Sequence, residues 1–276
     1  MAKTRRLITE NLKEVDIIVE ILDARIPYSS KNPEIARIIG DKPTLTILNK
    51  ASLANKEITK KWIEYYKSKG KYAISVDCIS GEGLGLISGA VKNILSSKIE
   101  RYENKGMNKK LRAMFVGIPN VGKSSLINKI CGSKKAKVEN RPGVTLNKQW
   151  IPTNVGFDLM DMPGVLWPKF EEKVVGENLA ITGAIKDAIL DTEYIAVVLC
   201  SRLKNIAPNE FMARYKIKPE ELDACEMDYE IFELVGKKRG FLISGGEINT
   251  ERTAAMLLEE FRSAKIGAIS LEVPEN

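Results

Sequence analysis

The sequence Gly117-Ile118-Pro119-Asn120-Val121-Gly122-Lys123-Ser124 decides the predicted fold. It follows an apolar run at 114–116, which predicts a strand, and it precedes the run 125–130, which predicts a helix. A Gly-x4-Gly-Lys-Ser pattern between a strand and a helix is typical of a phosphate-binding loop, because its glycines let successive backbone N–H groups face one concavity. The first turn of the helix adds unpaired N–H donors and the positive end of its dipole. We therefore predict a nucleotide phosphate site on Asn120, Val121, Gly122, Lys123, Ser124 and Ser125.

Two kinds of chemistry are expected around this loop, a positive charge for the phosphates and oxygen ligands for Mg²⁺. Lys123 is suited to the β- and γ-phosphates, and the Ser124 hydroxyl to Mg²⁺. A second pattern, Asp161-x-x-Gly164, ends another predicted strand and offers a Mg²⁺ carboxylate and a backbone N–H that can approach the γ-phosphate. Between the two patterns, Thr145 is either a plain loop residue or a further Mg²⁺ hydroxyl that a γ-phosphate orders. We predict Mg²⁺ ligands at Ser124, Thr145 and Asp161.

The composition is that of a globular chain with one large or two ordinary domains: 276 residues, of which 44% are hydrophobic and 29% charged. Charged residues interrupt each apolar run before it reaches membrane-spanning length, and the first residues lack the apolar core of a signal peptide. There is no histidine, and the scattered cysteines form no C-x-x-C pair. We therefore expect a cytoplasmic protein with reduced thiols, no membrane association and no zinc site. The cysteines are Cys78, Cys131, Cys200 and Cys225.

The net charge of +7 reflects 43 Lys and Arg residues against 36 Asp and Glu residues. Basic residues cluster in three groups, within 98–112, within 134–141 and at 237–239. Such clusters suit an anionic partner such as RNA. Solvated surface faces give the same pattern, so charge alone leaves both interpretations open.

Strand-like and helix-like runs alternate through the first part of the chain, after a polar helix predicted at 3–14. The alternation predicts an α/β fold with a mostly parallel, doubly wound sheet, whose ligands lie at the carboxyl ends of the strands. The basic stretch 98–112 is interpreted as a linker, and from about Val174 onward the pattern is mostly helical. The predicted strands are 17–22, 44–48, 72–76, 113–116, 149–153 and 157–160, with weaker signals at 241–243 and 269–273; the predicted later helices are 178–190, 191–203, 209–215, 228–234 and 251–262.

The segment Asn49-Lys50-Ala51-Ser52 follows a predicted buried strand and resembles the Asn-Lys-x-Asp motif of guanine-nucleotide-binding proteins. In that motif the Asn amide reads the base edge, the Lys stem covers the ring, and the Asp carboxylate accepts from the N1–H and 2-amino groups of guanine. Asp77-Cys78, at the end of the next predicted strand, would supply backbone contacts near the base oxygen. Taken alone, the tetrapeptide fits a polar strand-to-helix turn equally well.

The order of the motifs narrows the class, because the base-reading segment precedes the phosphate loop, the reverse of ordinary small GTPases. The segments 23–27, 117–124, 161–168, 179–187 and 238–246 closely resemble the circularly permuted GTPases of the bacterial ribosome biogenesis GTPase A family. The resemblance implies a GTPase domain at 1–172 that binds GTP or GDP, followed by a helical domain at 173–276 that contacts ribosomal RNA. It also implies a role in completing the large (50S) ribosomal subunit. Because the Asp161 strand leads directly into the second domain, we hypothesise that a γ-phosphate at Gly164 reorients that domain.

Ser52 departs from the base-reading motif, which has an aspartate at this position. A serine hydroxyl is shorter and uncharged, so it cannot accept from both guanine donors as a carboxylate does. Loss of such a charged hydrogen bond costs about 1.5–3 kcal/mol, which corresponds to roughly a tenfold to hundredfold loss of affinity. We therefore expect a weakened preference for guanine.

Two further departures concern hydrolysis. Val165 stands where many GTPases have a water-orienting glutamine, and an apolar side chain cannot polarise water. The resemblance implies that K⁺ contributes instead, with Asn120 as its ligand, although a turn-forming role for Asn120 is the alternative. Relatives carry an N-terminal extension with a histidine proposed as catalytic, whereas this sequence has none, so either its start is truncated or hydrolysis differs, and we expect very slow turnover. The predicted catalytic groups are Lys123, Asn120, Thr145 and Gly164.

Three classes of function remain in view. The leading one is a monomeric, GTP-driven assembly switch that acts on the ribosome. A small-molecule phosphotransferase would need a carboxylate or histidine cluster for a second substrate, which the sequence does not offer. An RNA-binding assembly factor with a degenerate, weakly guanine-specific nucleotide site is favoured by Ser52, by Val165 and by the absence of histidine. The affinity for GDP separates the first class from the last, since millimolar binding would indicate degeneracy.

Overall fold

The computed structural model describes residues 2–107, 109–132, 150–167 and 169–275. Within these ranges a six-stranded sheet has the order β3-β2-β1-β4-β6-β5. All neighbouring strands are parallel except β5 and β6, which confirms the predicted α/β fold with a mostly parallel sheet. The strands are β1 (Ile17–Asp23), β2 (Thr44–Asn49), β3 (Tyr72–Ser75), β4 (Leu111–Gly117), β5 (Ile151–Pro152) and β6 (Phe157–Asp161).

Helices connect these strands and cover the sheet, as parallel pairing requires. Asn32 and Asn55 begin two of them, because each side-chain oxygen accepts from the backbone N–H two residues on, at 3.0 Å. All seven residues of β1 are buried, as expected for the central strand of a sheet covered on both faces. The helices are α1 (Ala2–Asn11), α2 (Pro33–Ile39), α3 (Lys56–Ser68), α4 (Leu86–Ile94), α5 (Ser96–Asn104) and α6 (Lys123–Cys131).

The remainder of the chain is helical and has a hydrophobic core of its own, which confirms the predicted helical second half. Helix α8 lies at its centre and packs against α11 and α12. Fully buried side chains in this core include Leu199, Phe211, Phe232 and Leu257. The helices are α7 (Lys173–Ile181), α8 (Thr192–Ile206), α9 (Pro208–Tyr215), α10 (Pro219–Asp223), α11 (Asp228–Lys238) and α12 (Thr250–Arg262).

Helix α7 contributes to both cores. Val175 and Leu179 pack into the core of the sheet, whereas Ala180 and Ile181 pack into the core of the helical half. Helix α7 therefore joins the two cores through its buried residues, although the chain enters it through the exposed residues 171–174. A division at 172/173 coincides with the start of this shared helix.

The linker predicted at 98–112 is wrong, because α5 occupies its first part and β4 its end. Lys98 forms an ion pair with the buried Asp16, whose other oxygen accepts from the Arg112 N–H at 2.8 Å. Ile99 packs against the core of the sheet. The high charge of the segment hid an amphipathic helix, which the tertiary contacts on its inner face stabilise.

The helix predicted at 178–190 ends at Ile181. Gly183 adopts a left-handed conformation, with φ of +78°, and the guanidinium of Arg262 donates to the carbonyls of Ala180 and Ile181 at 2.8 and 2.9 Å. The strand signal at 269–273 is also not a strand. Here the Leu271 N–H donates to the carbonyl of Arg25 at 2.9 Å, so the segment lies along the first half of the chain.

Within the described part of the chain, no helix combines the length and apolarity that crossing a bilayer requires.

Candidate nucleotide-binding site

A cavity of about 660 Å³ lies where the carboxyl ends of β2, β3 and β4 meet the helical half. Its walls come from three places in the sequence: the segments after β2 and β3, the phosphate loop with α6, and, in the helical half, the C-terminal ends of α7 and α12. The position agrees with the rule that ligands of open α/β sheets bind at the carboxyl ends of the strands. The lining residues are Arg25, Asn49, Lys50, Leu53, Asp77, Cys78, Ile79, Gly122, Ser125, Asn128, Lys129, Thr182 and Arg262.

The first wall belongs to the phosphate corner, which we define as residues 120–125 together with Asp161 and Gly164; of these, Gly122 and Ser125 line the cavity. Its backbone is tightly curled, because Asn120 and Gly122 both lie in the left-handed region, with φ of +60° and +85°. A Cβ atom at Gly122 would lie 2.3 Å from Asn49 Nδ2, so only glycine fits. Alternating conformations of this kind create the anion-binding concavities seen at phosphate sites.

Lys123 is the first residue of α6 and is only 8% exposed. Its ammonium forms an ion pair with the Asp161 carboxylate at the end of β6. Gly164 packs against the same loop, since a Cβ atom there would lie 3.1 Å from the Pro119 nitrogen. The sheet order thus brings the two phosphate-site motifs together, and the charged groups that Mg²⁺ and a phosphate would need face each other.

The second wall belongs to the base corner, which we define as residues 49–52 with Asp77 and Cys78; of these, Asn49, Lys50, Asp77 and Cys78 line the cavity. Asn49 Nδ2 donates to the Val121 carbonyl at 2.7 Å, and Cys78 Sγ donates to Asn49 Oδ1 at 3.3 Å. Lys50 adopts a left-handed backbone conformation, with φ of +60°, and the Ala51 N–H donates to the Val76 carbonyl at 3.2 Å. Asn49 therefore ties the base corner to the phosphate loop.

Ser52 and Asp77 form a direct pair across the ends of β2 and β3. Both the backbone N–H and the hydroxyl of Ser52 donate to Asp77 Oδ2, at 3.1 and 2.5 Å. The N–H groups of Ile79 and Ser80 donate to Asp77 Oδ1, each at 2.8 Å. Burial raises the pKa of Asp77, but these four hydrogen bonds outweigh it and hold the pKa below the ordinary value. Asp77 is therefore ionised at neutral pH.

A buried ion network lies behind the base corner. Arg25 Nη2 and Lys50 Nζ donate to Asp23 Oδ2 at 2.7 and 2.9 Å, and Asp23 is 2% exposed. Burial raises the pKa of Asp23, but the two positive charges outweigh it and lower the pKa. The guanidinium of Arg25 also lies 5.6 Å from the ring centre of Phe261 on α12, so the network joins the base corner to the helical half.

The third wall is the turn after α7, together with the end of α12. Arg262 binds the last carbonyls of α7 and, through Nη1 and Nη2, the carboxylate of Asp187 at 2.7 and 2.8 Å. These contacts fix Thr182 and Gly183 beside the phosphate loop. Asn120 Nδ2 donates to the Gly183 carbonyl at 2.7 Å. A residue of the phosphate loop is thus bonded directly to the helical half.

Most of the predicted site residues lie together in this arrangement. Thr145 lies outside the described residues, as does the basic group at 134–141. Ser124 and Ser125 are exposed on the first turn of α6, directly after Lys123 in the sequence. No cluster of three or more Cys, Asp or Glu residues able to hold a metal exists in the described ranges. The roles assigned from the sequence stay predictions.

Sequence reasoning assigned no role to several residues of the cavity wall. Arg25 and Thr182 belong to segments that carried the family resemblance, which was the only available signal for them. Arg262 lies in a predicted helix without a motif, and its contacts span 75 residues or more, so no local pattern could identify it. The pairing of Ser52 with Asp77 was missed because Asp77 was considered only for its backbone.

Several side chains of the described basic groups contact other groups of the protein itself. Lys237, Lys238 and Arg239 contact the carboxylates of Glu233, Glu221 and Glu260, respectively. In the group at 98–112, the guanidinium of Arg112 stacks 4.6 Å from the ring centre of Trp150, besides the Lys98 ion pair. Clustering in the sequence therefore overstates the positive charge available to an anionic partner.

Residues 112–228 match the family model of the 50S ribosome-binding GTPases. The chain is 44% identical to ribosome biogenesis GTPase A of Bacillus cereus over 278 residues, which cover 100% of this chain and 92% of that protein. It is 28% identical to the Thermotoga maritima ribosome biogenesis GTPase A, with 99% and 92% of the two chains covered.

Two solved structures resemble this fold along its whole length. A GDP-bound YlqF structure has a TM-score of 0.67 at 27% identity, with 98% of this chain and 100% of that chain covered. A GNP-bound YlqF from T. maritima has a TM-score of 0.65 at 27% identity, with 99% of each chain covered.

The parallel sheet, the phosphate loop and the base-reading segment that precedes it define a circularly permuted P-loop GTPase domain followed by a helical part. This is a class of GTP-binding proteins. Within that class, the chain belongs to the ribosome biogenesis GTPase A family.

Proposed function

We propose that this chain is a GTP-dependent switch that hydrolyses GTP slowly and assists late assembly of the large (50S) ribosomal subunit. The observation that carries the proposal is the shared cavity, whose walls include Gly122 of the phosphate loop, Asn49 of the base corner, and Thr182 and Arg262 of the helical half. A nucleotide held there would touch both halves. Whether that nucleotide is GTP or GDP would therefore influence how the two halves contact each other.

The residues present fit a nucleotide with Mg²⁺, since the tight backbone at Gly122 and Gly164 allows a phosphate to approach the loop closely and Lys123, Ser124 and Asp161 lie in or next to it. Lys123 would bind the phosphates, and Ser124, Thr145 and Asp161 would hold Mg²⁺, which neutralises phosphate charge. We further propose K⁺ at Asn120. Donation by its Nδ2 to the helical half leaves the amide oxygen Oδ1 as the ligand atom, and amide oxygens suit alkali and alkaline-earth cations.

Slow turnover follows from the residue after Gly164. The carbonyl of Val165 accepts from Asn32 Nδ2 at 3.0 Å, which holds the backbone, while the side chain offers no polar group to orient water. Lys123, Asn120, Thr145 and Gly164 would then act mainly by stabilising phosphate charge. We expect the ribosome to accelerate the reaction by supplying further groups.

The proposed partner is the large subunit and its ribosomal RNA, and the chain is proposed to act as a monomer. The relatives' names support a ribosomal partner: besides the proteins above, the chain is 28% identical to mitochondrial ribosome-associated GTPase 1 of Bos taurus over 99% of its length. A net charge of +7 is compatible with an RNA partner. We propose domain limits of 1–172 and 173–276, with α7 as the mechanical link between them.

Cosedimentation with purified large subunits tests the proposal. We expect the chain to pellet with subunits more strongly with a non-hydrolysable GTP analogue than with GDP. Lys123→Ala should remove that difference without removing the basal interaction. Equal pelleting under all nucleotide conditions, or none at all, would contradict the switch. Millimolar GDP affinity combined with nucleotide-independent pelleting would favour the RNA-binding factor with a degenerate site.

Small-angle scattering tests the proposed coupling between the halves. Two connections lead from the nucleotide to the helical half, one from Gly164 along 165–172 into α7, the other from Asn120 to Gly183. We expect different scattering profiles with GDP and with a GTP analogue. Identical profiles would argue against a nucleotide-dependent reorientation.

A further inference from the structure

The base corner contains a carboxylate that the base-reading motif does not predict. In that motif the fourth residue is an aspartate, whereas here it is Ser52, which is exposed and lies in the sequence between Lys50 and Leu53, two residues of the cavity lining. Directly behind it, Asp77 lines the cavity wall and is 1% exposed. The hydroxyl of Ser52 donates to Asp77 Oδ2 at 2.5 Å, so a negative charge lies one hydrogen bond away from the fourth motif position.

The contacts of Asp77 fix this carboxylate rigidly. Two N–H groups from its own turn, those of Ile79 and Ser80, donate to Oδ1, and two donors from Ser52 reach Oδ2. The four bonds use the lone-pair directions of both oxygens. They come from neutral groups only, and none of the described Lys or Arg residues forms an ion pair with Asp77. Its charge is therefore stabilised but not neutralised.

Hydrogen-bond chemistry then determines what Ser52 can do. A hydroxyl has one proton and two acceptor lone pairs, and here the proton is committed to the carboxylate. The Ser52 oxygen is consequently left as an acceptor, with a negative charge behind it that strengthens the bonds it accepts. Contrary to the expectation from the sequence, an oxygen whose two lone pairs are both free can accept from the two neighbouring donors of guanine, the N1–H and the 2-amino group. Adenine presents an acceptor, N1, at the corresponding position.

We propose that Ser52 and Asp77 together replace the single base-reading carboxylate, with Ser52 Oγ accepting from guanine and Asp77 acting as the positioning residue that supplies the charge. This inference rests on the proposed function, because it assumes that the cavity binds a guanine nucleotide. It reverses the sequence-based expectation of weakened guanine preference. The charge has moved from the end of β2 to the end of β3, and a serine connects it to the base.

The sharpest test moves the carboxylate from position 77 to position 52, where the base-reading motif has it. Asp77→Asn keeps an Oδ1 acceptor for the Ile79 and Ser80 N–H groups, while its amide turns a donor toward Ser52. Ser52→Asp alone places two carboxylates side by side and should weaken binding through their repulsion. The double variant Ser52→Asp/Asp77→Asn restores one carboxylate at the motif position and should recover binding. Asp77→Asn should thus weaken binding in the wild type but improve it in Ser52→Asp. Such a reversal is not expected if Asp77 only shapes the turn.

The experiment measures dissociation constants for GDP and IDP with Mg²⁺, because IDP lacks only the 2-amino group. We expect the wild type to prefer GDP over IDP by about tenfold or more. Asp77→Asn should lower GDP affinity by about tenfold and remove most of that preference, and the double variant should regain both. Glu82→Gln, which removes an exposed charge from the same loop, is the matched control and should change neither value.

The binding results distinguish failure of the Ser52–Asp77 proposal from failure of the proposed function. If the wild type binds GDP with a clear preference but Asp77→Asn binds it equally well and with the same preference, the Ser52–Asp77 proposal is overturned and the proposed function stands. If the wild type binds neither nucleotide, the proposed function itself fails. Thermal unfolding of each ligand-free variant shows whether it is folded. Should Asp77→Asn not fold, the GDP affinities of Ser52→Asp and of the double variant still decide. Higher affinity of the double variant supports the proposal, and equally weak binding by both overturns it.

Discussion

The phosphate corner and the base corner border the same cavity but are built differently. In the phosphate corner, backbone geometry dominates: Asn120 and Gly122 are left-handed, and a Cβ atom would lie 2.3 Å from Asn49 at Gly122 and 3.1 Å from Pro119 at Gly164. In the base corner, side chains from two strand ends form the surface, and Ser52 meets Asp77 across 25 residues. A backbone site therefore requires a fixed motif, whereas a side-chain site can exchange residues if a neighbour compensates.

The largest effect is expected beneath the base corner, at the buried ion network. Asp23→Asn leaves Arg25 and Lys50 without their counter-charge, and breaking a buried pair in this way typically costs about 3–5 kcal/mol of unfolding free energy. The midpoint of urea unfolding measures this change. Asp41→Asn, an exposed carboxylate, is the control and should lie close to the wild type. An Asp23→Asn protein as stable as the wild type would show that the network carries no stability.

The same residue gives a pH dependence with a definite sign. Burial raises the pKa of Asp23 and the charges of Arg25 and Lys50 lower it more, so the folded pKa lies below the unfolded value of about 3.9. The stabilisation is therefore complete above that pH and is lost as the pH falls below it. We expect the difference in unfolding free energy between wild type and Asp23→Asn to be constant from pH 7 to 5 and to shrink below pH 4. A difference that grows on acidification would contradict this assignment.

Breaking the phosphate corner should separate affinity from base preference. Lys123→Ala removes charge-assisted hydrogen bonds to two phosphates, worth about 4 kcal/mol together or about a thousandfold in GDP affinity. The ratio of GDP to IDP affinity should stay unchanged, because the base corner is intact. Competition titration measures both quantities. Lys92→Ala, an exposed lysine on α4, is the control, and a changed ratio in Lys123→Ala would show that the corners are not independent.

A glycine substitution should affect both corners at once. Gly122→Ala strains a residue with φ of +85° and drives its Cβ atom toward the Asn49 amide, which holds the two corners together. We expect about a hundredfold loss of GDP affinity, on the order of 3 kcal/mol, accompanied by a reduced preference over IDP. In Gly89→Ala, the new Cβ atom meets open space on helix α4, so binding should be unchanged. Equal affinities of the two variants would contradict the argument from backbone geometry.

The smallest effect is expected from pH on base preference. The pKa of Asp77 is held below its ordinary value of about 3.9, so the charge behind Ser52 persists throughout the neutral range. We expect the ratio of GDP to IDP affinity to be flat between pH 8 and 5. In Ser52→Asp the two adjacent carboxylates raise one pKa, so binding should improve as the pH falls from 7 to 5. A wild-type ratio that falls within this range would mean that Asp77 is not the charged group.

The sequence predicted most of the fold because the strands of the central sheet are strongly apolar and the phosphate loop lies between a clear strand and helix. Errors occurred where tertiary contacts outweighed local pattern. Helix α5 was interpreted as a linker because its charges masked an inner face that packs through Lys98 and Ile99. Helix α7 was drawn too long because Arg262, which binds its last carbonyls, lies far along the chain.

The candidate site shows the same difference between features that depend on local sequence and features that depend on tertiary contacts. The motifs predict the residues of the phosphate corner one by one, since the predicted role depends on local backbone conformation. In the base corner, motif comparison detected the loss of a carboxylate at Ser52 but not its replacement by Asp77, because that contact depends on the pairing of β2 with β3. The contact of Asn120 with Gly183 was likewise invisible, since it joins the two halves of the chain.

Equilibrium titration of the unmodified chain with GDP, IDP and ADP in the presence of Mg²⁺ tests the central claim most directly. That claim is that one cavity binds a guanine nucleotide through a backbone-built phosphate corner and a base corner completed by Ser52 and Asp77. We predict saturable binding of one GDP per chain, with IDP at least about tenfold weaker and ADP weaker still. The absence of saturable binding, or equal affinity for all three nucleotides, would contradict it.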